Sequence, residues 1–158
     1  LALGQRAFGI LEKIGGLELR STPGILVIMG RAQLGLGRAD EALKLCERAL
    51  PLQERGRLTP QRVYEWDALR CIGEARLLLG HASDAVAPLE RSVTLERRVY
   101  AGDLARSQFA LARALADSKG DAARALTLAK SAREVLVTIA TAKIEVDAID
   151  KWIAARAS

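Results

Sequence analysis

The chain has 158 residues, half of them apolar and 27% charged, which is enough to bury a core and too apolar for a disordered segment. No apolar run reaches the roughly 18–20 residues that a membrane-crossing helix needs, so no segment of this sequence is expected to span a membrane as a helix. A net charge of +5 and a pI near 9.6 admit an acidic partner, whether nucleic acid, anionic lipid or protein, but do not choose among them.

Apolar residues recur at three- and four-residue spacing and β-branched alternation is nearly absent, so the sequence predicts an all-α chain without a sheet. A first helix, about residues 2–14, ends at Gly15-Gly16, because paired glycines make helical order costly. Residues 17–24 read as a connector punctuated by Pro23. Helices over about 25–36 and 39–54 follow, parted by a tight turn at Gly37, and form a hairpin. A second hairpin joins 61–79 to 83–99, with Thr59-Pro60 at its start, Gly80 at its turn and Ser83 as an N-cap. Pro88 lies in its second helix, where an interior proline costs about 3 kcal/mol; only a place near the first turn makes it tolerable, and a slight bend is expected. A third hairpin, 103–117 with 121–139, carries one extra residue, since Ala112 to Gly120 is eight residues where Gly30 to Gly37 and Gly73 to Gly80 are seven. Its loop should be larger. A last helix, 143–157, has Ile144, Ile149, Trp152 and Ile153 on one face and is expected to cap the apolar end of the third hairpin.

These hairpins are copies of one unit. A Gly, an Ala five residues on and an aliphatic next to it recur at Gly37, Ala42 and Leu43, then at Gly80, Ala85 and Val86, then at Gly120, Ala125 and Leu126. The intervals are 43 and 40 residues, a period that marks stacked helical repeats. Seven residues beyond each Ala stands another small residue, Ala49, Ser92 or Ala132. One period before Ala49 lies Ala7, so the chain opens inside a further unit. The expected organisation is one domain: a half-repeat and connector over 1–24, repeats over 25–60, 61–102 and 103–140, and a capping helix over 141–158.

With small residues at Gly30, Gly37, Ala42 and Ala49, at Gly73, Gly80, Ala85 and Ser92, and at Ala112, Gly120, Ala125 and Ala132, the chain resembles the tetratricopeptide repeat family. Its period exceeds the usual 34 residues of that family and is nearer the variant of about 42 residues. The resemblance implies a right-handed α-solenoid that acts as a protein-interaction scaffold. Residues 144–153, following long Arg/Ala/Leu-rich repeats, resemble the C-terminal regions of bacterial serine/threonine protein kinases that carry such repeats. That resemblance implies a docking or regulatory region of a larger signalling protein, with a kinase domain ahead of Leu1. The chain starts without Met and without a basic-then-apolar leader, reads as a piece of a longer chain, and is expected to be cytoplasmic.

In the resembling family the first helices of successive hairpins line a concave groove that takes a peptide or a helix. The matching positions here are Val27, Arg31 and Leu34; Asp67, Arg70, Glu74 and Leu77; and Arg106, Phe109 and Arg113. Four arginines against two acids imply a basic groove suited to carboxylates, which guanidinium forks grip bidentately. The Lys and Asn set that clamps peptide C-termini in some relatives is absent, Val27 and Arg31 standing at two of its places. Ordinary solvation of a helix face, or pairing with neighbouring acids, accounts for the same arginines without any partner. A second basic row, Lys13, Arg55 and Arg98, suits the negative end of the helix dipole, and an acidic partner lying across that ridge is the alternative.

No nucleophile, base and orienting group can be assembled, so catalysis in this segment is not expected, and neither is a cofactor or a metal. His81 lacks a second ligand at metal spacing and reads as a surface turn residue. Gly35-Leu36-Gly37 lacks the third glycine and the preceding strand of a dinucleotide site. Cys46 and Cys71, 25 residues apart in apolar helical stretches, match neither a close metal pair nor a disulfide framework, and are expected to be reduced, buried and structural. Two other functions stay open. One is nucleic-acid binding, given eighteen arginines; the other is homodimerisation through Leu3, Ala7, Ile10, Leu11 and Ile14 of the first helix.

Overall fold

The computed structural model describes residues 6, 9, 10, 13, 22–55, 65–96 and 101–156. Among the described residues there is helix and turn but no strand. The helices are α1 (Thr22–Gly35), α2 (Ala39–Arg55), α3 (Glu65–Leu78), α4 (Ala82–Glu96), α5 (Ala101–Asp117), α6 (Ala122–Leu136) and α7 (Lys143–Ala154), with a 3-10 turn at Ala140–Ala142 before the last. Arg6, Gly9, Ile10 and Lys13 are also helical; the rest of the expected first helix, with Leu3, Ala7, Leu11 and Ile14, lies outside the described residues. So do the Thr59-Pro60 start signal and Arg98.

The helices α1, α3 and α5 stop in the same way. Gly37 and Gly80 take left-handed backbone, with φ of +71° and +79°, and Lys119 does so at +59°. In each case the next amide reaches back five residues to a carbonyl of the helix: Arg38 to Gln33 at 2.9 Å, His81 to Arg76 at 2.8 Å and Gly120 to Leu115 at 2.7 Å. This is the Schellman arrangement, which satisfies carbonyls that the helix end would leave bare. The third turn therefore corrects the sequence alignment. The residue matching Gly37 and Gly80 is Lys119, seven beyond Ala112, and the extra residue comes after it, so that Gly120 and Asp121 both precede α6 where Arg38 or His81 stands alone before α2 or α4. The loop is larger, as expected. Asp121 uses it to cap α6, its carboxylate accepting the Arg124 amide at 2.9 Å. A Cβ on Gly120 would lie 3.1 Å from the Leu115 carbonyl oxygen, so that glycine is held by close approach.

The chain divides into two compact units, Leu1–His81 and Ala82–Ser158. In the first, α1 lies along α2, and α3 packs on both. In the second, α4 packs on α5, α5 lies along α6, and α7 packs on α6. The recurring small residues are where the helices need them: Ala42, Ala49, Ala85, Ala112, Ala125 and Ala132 are all buried, as are Gly30 and Gly73. Ser92, which stands where the other repeats have Ala, is buried too. Its hydroxyl is satisfied by Ser107 of α5 at 3.1 Å, so the polar substitution carries no unmet hydrogen bond.

Four expectations are corrected. Thr22, Pro23 and Gly24 belong to α1, not to a connector; proline fits the opening turn, where its missing N–H has no helical acceptor. Ser83 lies inside α4. Pro88 is the seventh residue of that helix, beyond the first turn, and α4 continues through it. Finally, Cys46 and Cys71 are not free thiols. They are joined by a disulfide between α2 and α3, with Cα atoms 6.2 Å apart.

Candidate functional site

The ten positions carried over from the repeat resemblance fall into three environments. Val27 is 1% exposed and sits in the core with Leu26, Met29, Ala49 and Ala68. Arg70 is also 1% exposed, and Asp67 only 7%. A buried guanidinium must be compensated, and Arg70 is: Nη2 donates to Asp67 Oδ1 at 2.9 Å, and the guanidinium lies 5.2 Å from the Trp66 ring centroid. The same carboxylate oxygen accepts Arg31 Nη1 from α1 at 3.2 Å. Asp67 thus joins α1 to α3, and Val27, Asp67 and Arg70 are buried, not presented at the surface.

The other expected positions of the first unit are more exposed. The Arg31 side chain remains 42% exposed despite its bond to Asp67, while Leu34, Glu74 and Leu77 are half-buried. Leu34 also packs against the cluster of Cys46, Cys71 and Ile72, which fixes its position from below.

In the second unit two of the three expected positions, Arg106 and Phe109, are taken up by the last helix. Arg106 of α5 donates through Nε to Glu145 Oε1 at 2.7 Å and through Nη2 to Glu145 Oε2 at 3.1 Å, with Asp103 3.6 Å away one turn before it. These hydrogen bonds and charges hold the guanidinium above its usual pKa. Phe109 meets Trp152 edge-to-face, with centroids 5.8 Å apart and planes at 87°, a favoured aromatic geometry. Arg156 stacks 4.1 Å from the Trp152 centroid and reaches Asp117 at 3.2 Å. Arg133 of α6 pairs with Asp150 through both carboxylate oxygens, lowering the pKa of that carboxyl. Arg113 is half-buried.

The last helix therefore does cover α5 and α6, with three of the four residues expected on its apolar face. Ile149 is buried and Trp152 and Ile153 are half-buried, whereas Ile144 is 84% exposed. The partners of the arginines, Glu145 for Arg106 and Glu90 for Arg124 at 2.8 Å, are not legible in the sequence, because ion pairs between helices leave no periodic signal. Arg31 to Asp67, Arg124 to Glu90 and Arg106 to Glu145 span 36, 34 and 39 residues, each shorter than the repeat intervals of 43 and 40, so no fixed spacing singles them out.

His81 is exposed in the turn after α3. Among the described residues no group of three His, Cys, Asp or Glu is placed to hold a metal ion, and no helix is long and apolar enough to cross a membrane. Comparison of the sequence with protein-family models and with curated proteins finds no match.

Proposed function

We propose that this chain is a protein-interaction module built of tetratricopeptide-like repeats in a right-handed solenoid, and that α1 and α3 of the first unit present the partner-binding face. The reading is supported above all by the small residues at repeat spacing, which are buried in every hairpin, together with one turn used three times. Such a scaffold binds through area and shape and needs no catalytic group. The resemblance of residues 144–153 favours a docking or regulatory role in a larger bacterial signalling protein such as a serine/threonine kinase.

The binding face is narrower than the ten carried-over positions. Arg31, Leu34, Glu74 and Leu77 are the reachable ones in the first unit. A guanidinium has five N–H donors in a fork, and Arg31 commits one of them to Asp67. Its exposed remainder, one helical turn from the half-buried Leu34, matches a peptide that sets a carboxylate beside an aliphatic side chain.

Fluorescence anisotropy of labelled acidic amphipathic peptides tests this. The best binder is expected to lose at least about tenfold in affinity, or roughly 1.4 kcal/mol, on Arg31→Glu, with unchanged helicity by circular dichroism. Lys130→Glu, on the exposed side of α6, serves as the charge control. Equal losses from both substitutions would reduce the effect to net charge and remove the assigned face.

A further inference from the structure

The Cys46–Cys71 bond sits at the meeting point of three helices. Cys46 lies on α2 between Ala42 and Ala49, Cys71 lies on α3, and both are 0% exposed. Opposite them on α1 is Gly30, where a Cβ would overlap Cys46 Sγ and lie 3.1 Å from Cys71 Sγ and 3.3 Å from the Ala42 carbonyl oxygen. The missing side chain of Gly30 is thus the slot that the two sulfurs fill. Ile72, Leu34, Leu43 and Leu50 pack around them.

We propose that this pair is a fold-gated redox lock on the first unit: oxidised, it clamps α3 to the α1–α2 hairpin, and external thiols open it only after the helices part. Thiol–disulfide exchange requires a thiolate to reach one sulfur in line with the bond, and the packed helices leave no such approach. Once they part, the first external thiolate attacks one cysteine sulfur, forming a mixed disulfide and releasing the other cysteine as a thiolate that takes up a proton. A second external thiolate attacks the external sulfur and frees the remaining cysteine. Two external thiols become one disulfide, and the protein gains two electrons and two protons. Afterwards α3 is held by packing and by the Arg31–Asp67 and Arg76–Glu47 pairs, without a covalent tie across the 25-residue separation. The lock does not depend on any partner for the unit.

Alkylation by iodoacetamide in denaturant, followed by intact mass, is expected to add nothing to the air-purified chain and two adducts after prior reduction, there being two cysteines. Reduction by dithiothreitol in native buffer should be at least about 100-fold slower than in urea, since it waits on opening. The reduced chain should melt roughly 10 °C lower, as expected from losing a cross-link of this loop length, and its α3 amides should exchange faster by hydrogen-exchange mass spectrometry. Two adducts on the unreduced chain, native reduction as fast as in urea, or α3 exchange unaltered by reduction would each overturn the lock. Because reduction of the wild-type chain carries the test, it survives even if Cys46→Ser/Cys71→Ser fails to fold.

Discussion

A glycine inside a helix forfeits about 1 kcal/mol relative to alanine, and α1 accepts that cost at Gly30, where two sulfurs occupy the space of a Cβ. Gly30→Ala should therefore destabilise the chain by about 1–3 kcal/mol in urea unfolding, overpacking outweighing the gain in helix propensity. Removing the sulfur in Cys46→Ala should relieve most of that penalty. Under reducing conditions throughout, so that the disulfide plays no part, the double-mutant cycle should give a coupling of about 1 kcal/mol or more. An unchanged cost in the Cys46→Ala background would show that the Cys46 sulfur does not set the spacing. At this scale much was legible in the sequence. Side-chain size is a property of the residue itself, so recurring Gly, Ala and Ser positions announce close helix contacts without reference to the partner helix. The pairing of Cys46 with Cys71 was not legible. Periodicity puts Cys46 on the Ala42–Ala49 face, but it does not say which residue of the next helix stands opposite. The same limit hid the burial of Val27, Asp67 and Arg70, which share spacing with reachable positions and differ only in depth.

Element boundaries follow from the turns, and the third turn departs from the other two in a way that can be measured. Lys119 holds the left-handed position that Gly37 and Gly80 fill, and a side chain there costs about 1–2 kcal/mol of steric strain. Glycine would remove the strain and return part of the gain as extra unfolded-state entropy. Lys119→Gly is accordingly expected to stabilise the chain by roughly 0.5–1 kcal/mol in urea titration, whereas Gly37→Ala and Gly80→Ala should each destabilise it by about 1 kcal/mol. A loss of stability in Lys119→Gly would mean that the lysine side chain contributes to the turn and that the three turns are not equivalent. The sequence showed that a residue had been inserted here. It could not show where, because glycine marks both a left-handed cap and a close approach, and Gly120 is the second kind. The helices were legible from their spacing, including α4, but its tolerance of Pro88 was misplaced. The proline removes one amide donor near the middle of α4, and the helix nevertheless persists through the packing of Ala85, Leu89 and Val93, all buried.

For the molecule as a whole, the all-α class was legible, and the division at His81 and Ala82 was not, because the repeat runs through it without a break in composition. Charge is the property on which composition and structure diverge most. A net +5 with eighteen arginines admits a polyanion partner, yet Arg31, Arg70, Arg76, Arg106, Arg124, Arg133 and Arg156 are each within salt-bridge distance of a carboxylate. Phosphate binding draws its strength from counterions released by cations free to approach the backbone, with a slope of log affinity against log salt of about −0.9 per phosphate neutralised. An arginine held by an acid must first give up that partner, so it adds little to this term. Aromatic side chains for base stacking are also scarce, at 4% of the chain. Electrophoretic mobility shift with duplex DNA and single-stranded RNA at about 50 mM salt is therefore expected to show no retardation at low micromolar protein, the range in which a non-specific polyanion binder is retained. Retardation with a salt slope of about −4 or steeper would require four or five phosphates to be neutralised together, and would place a continuous basic track on this chain in place of the peptide-binding face proposed for α1 and α3.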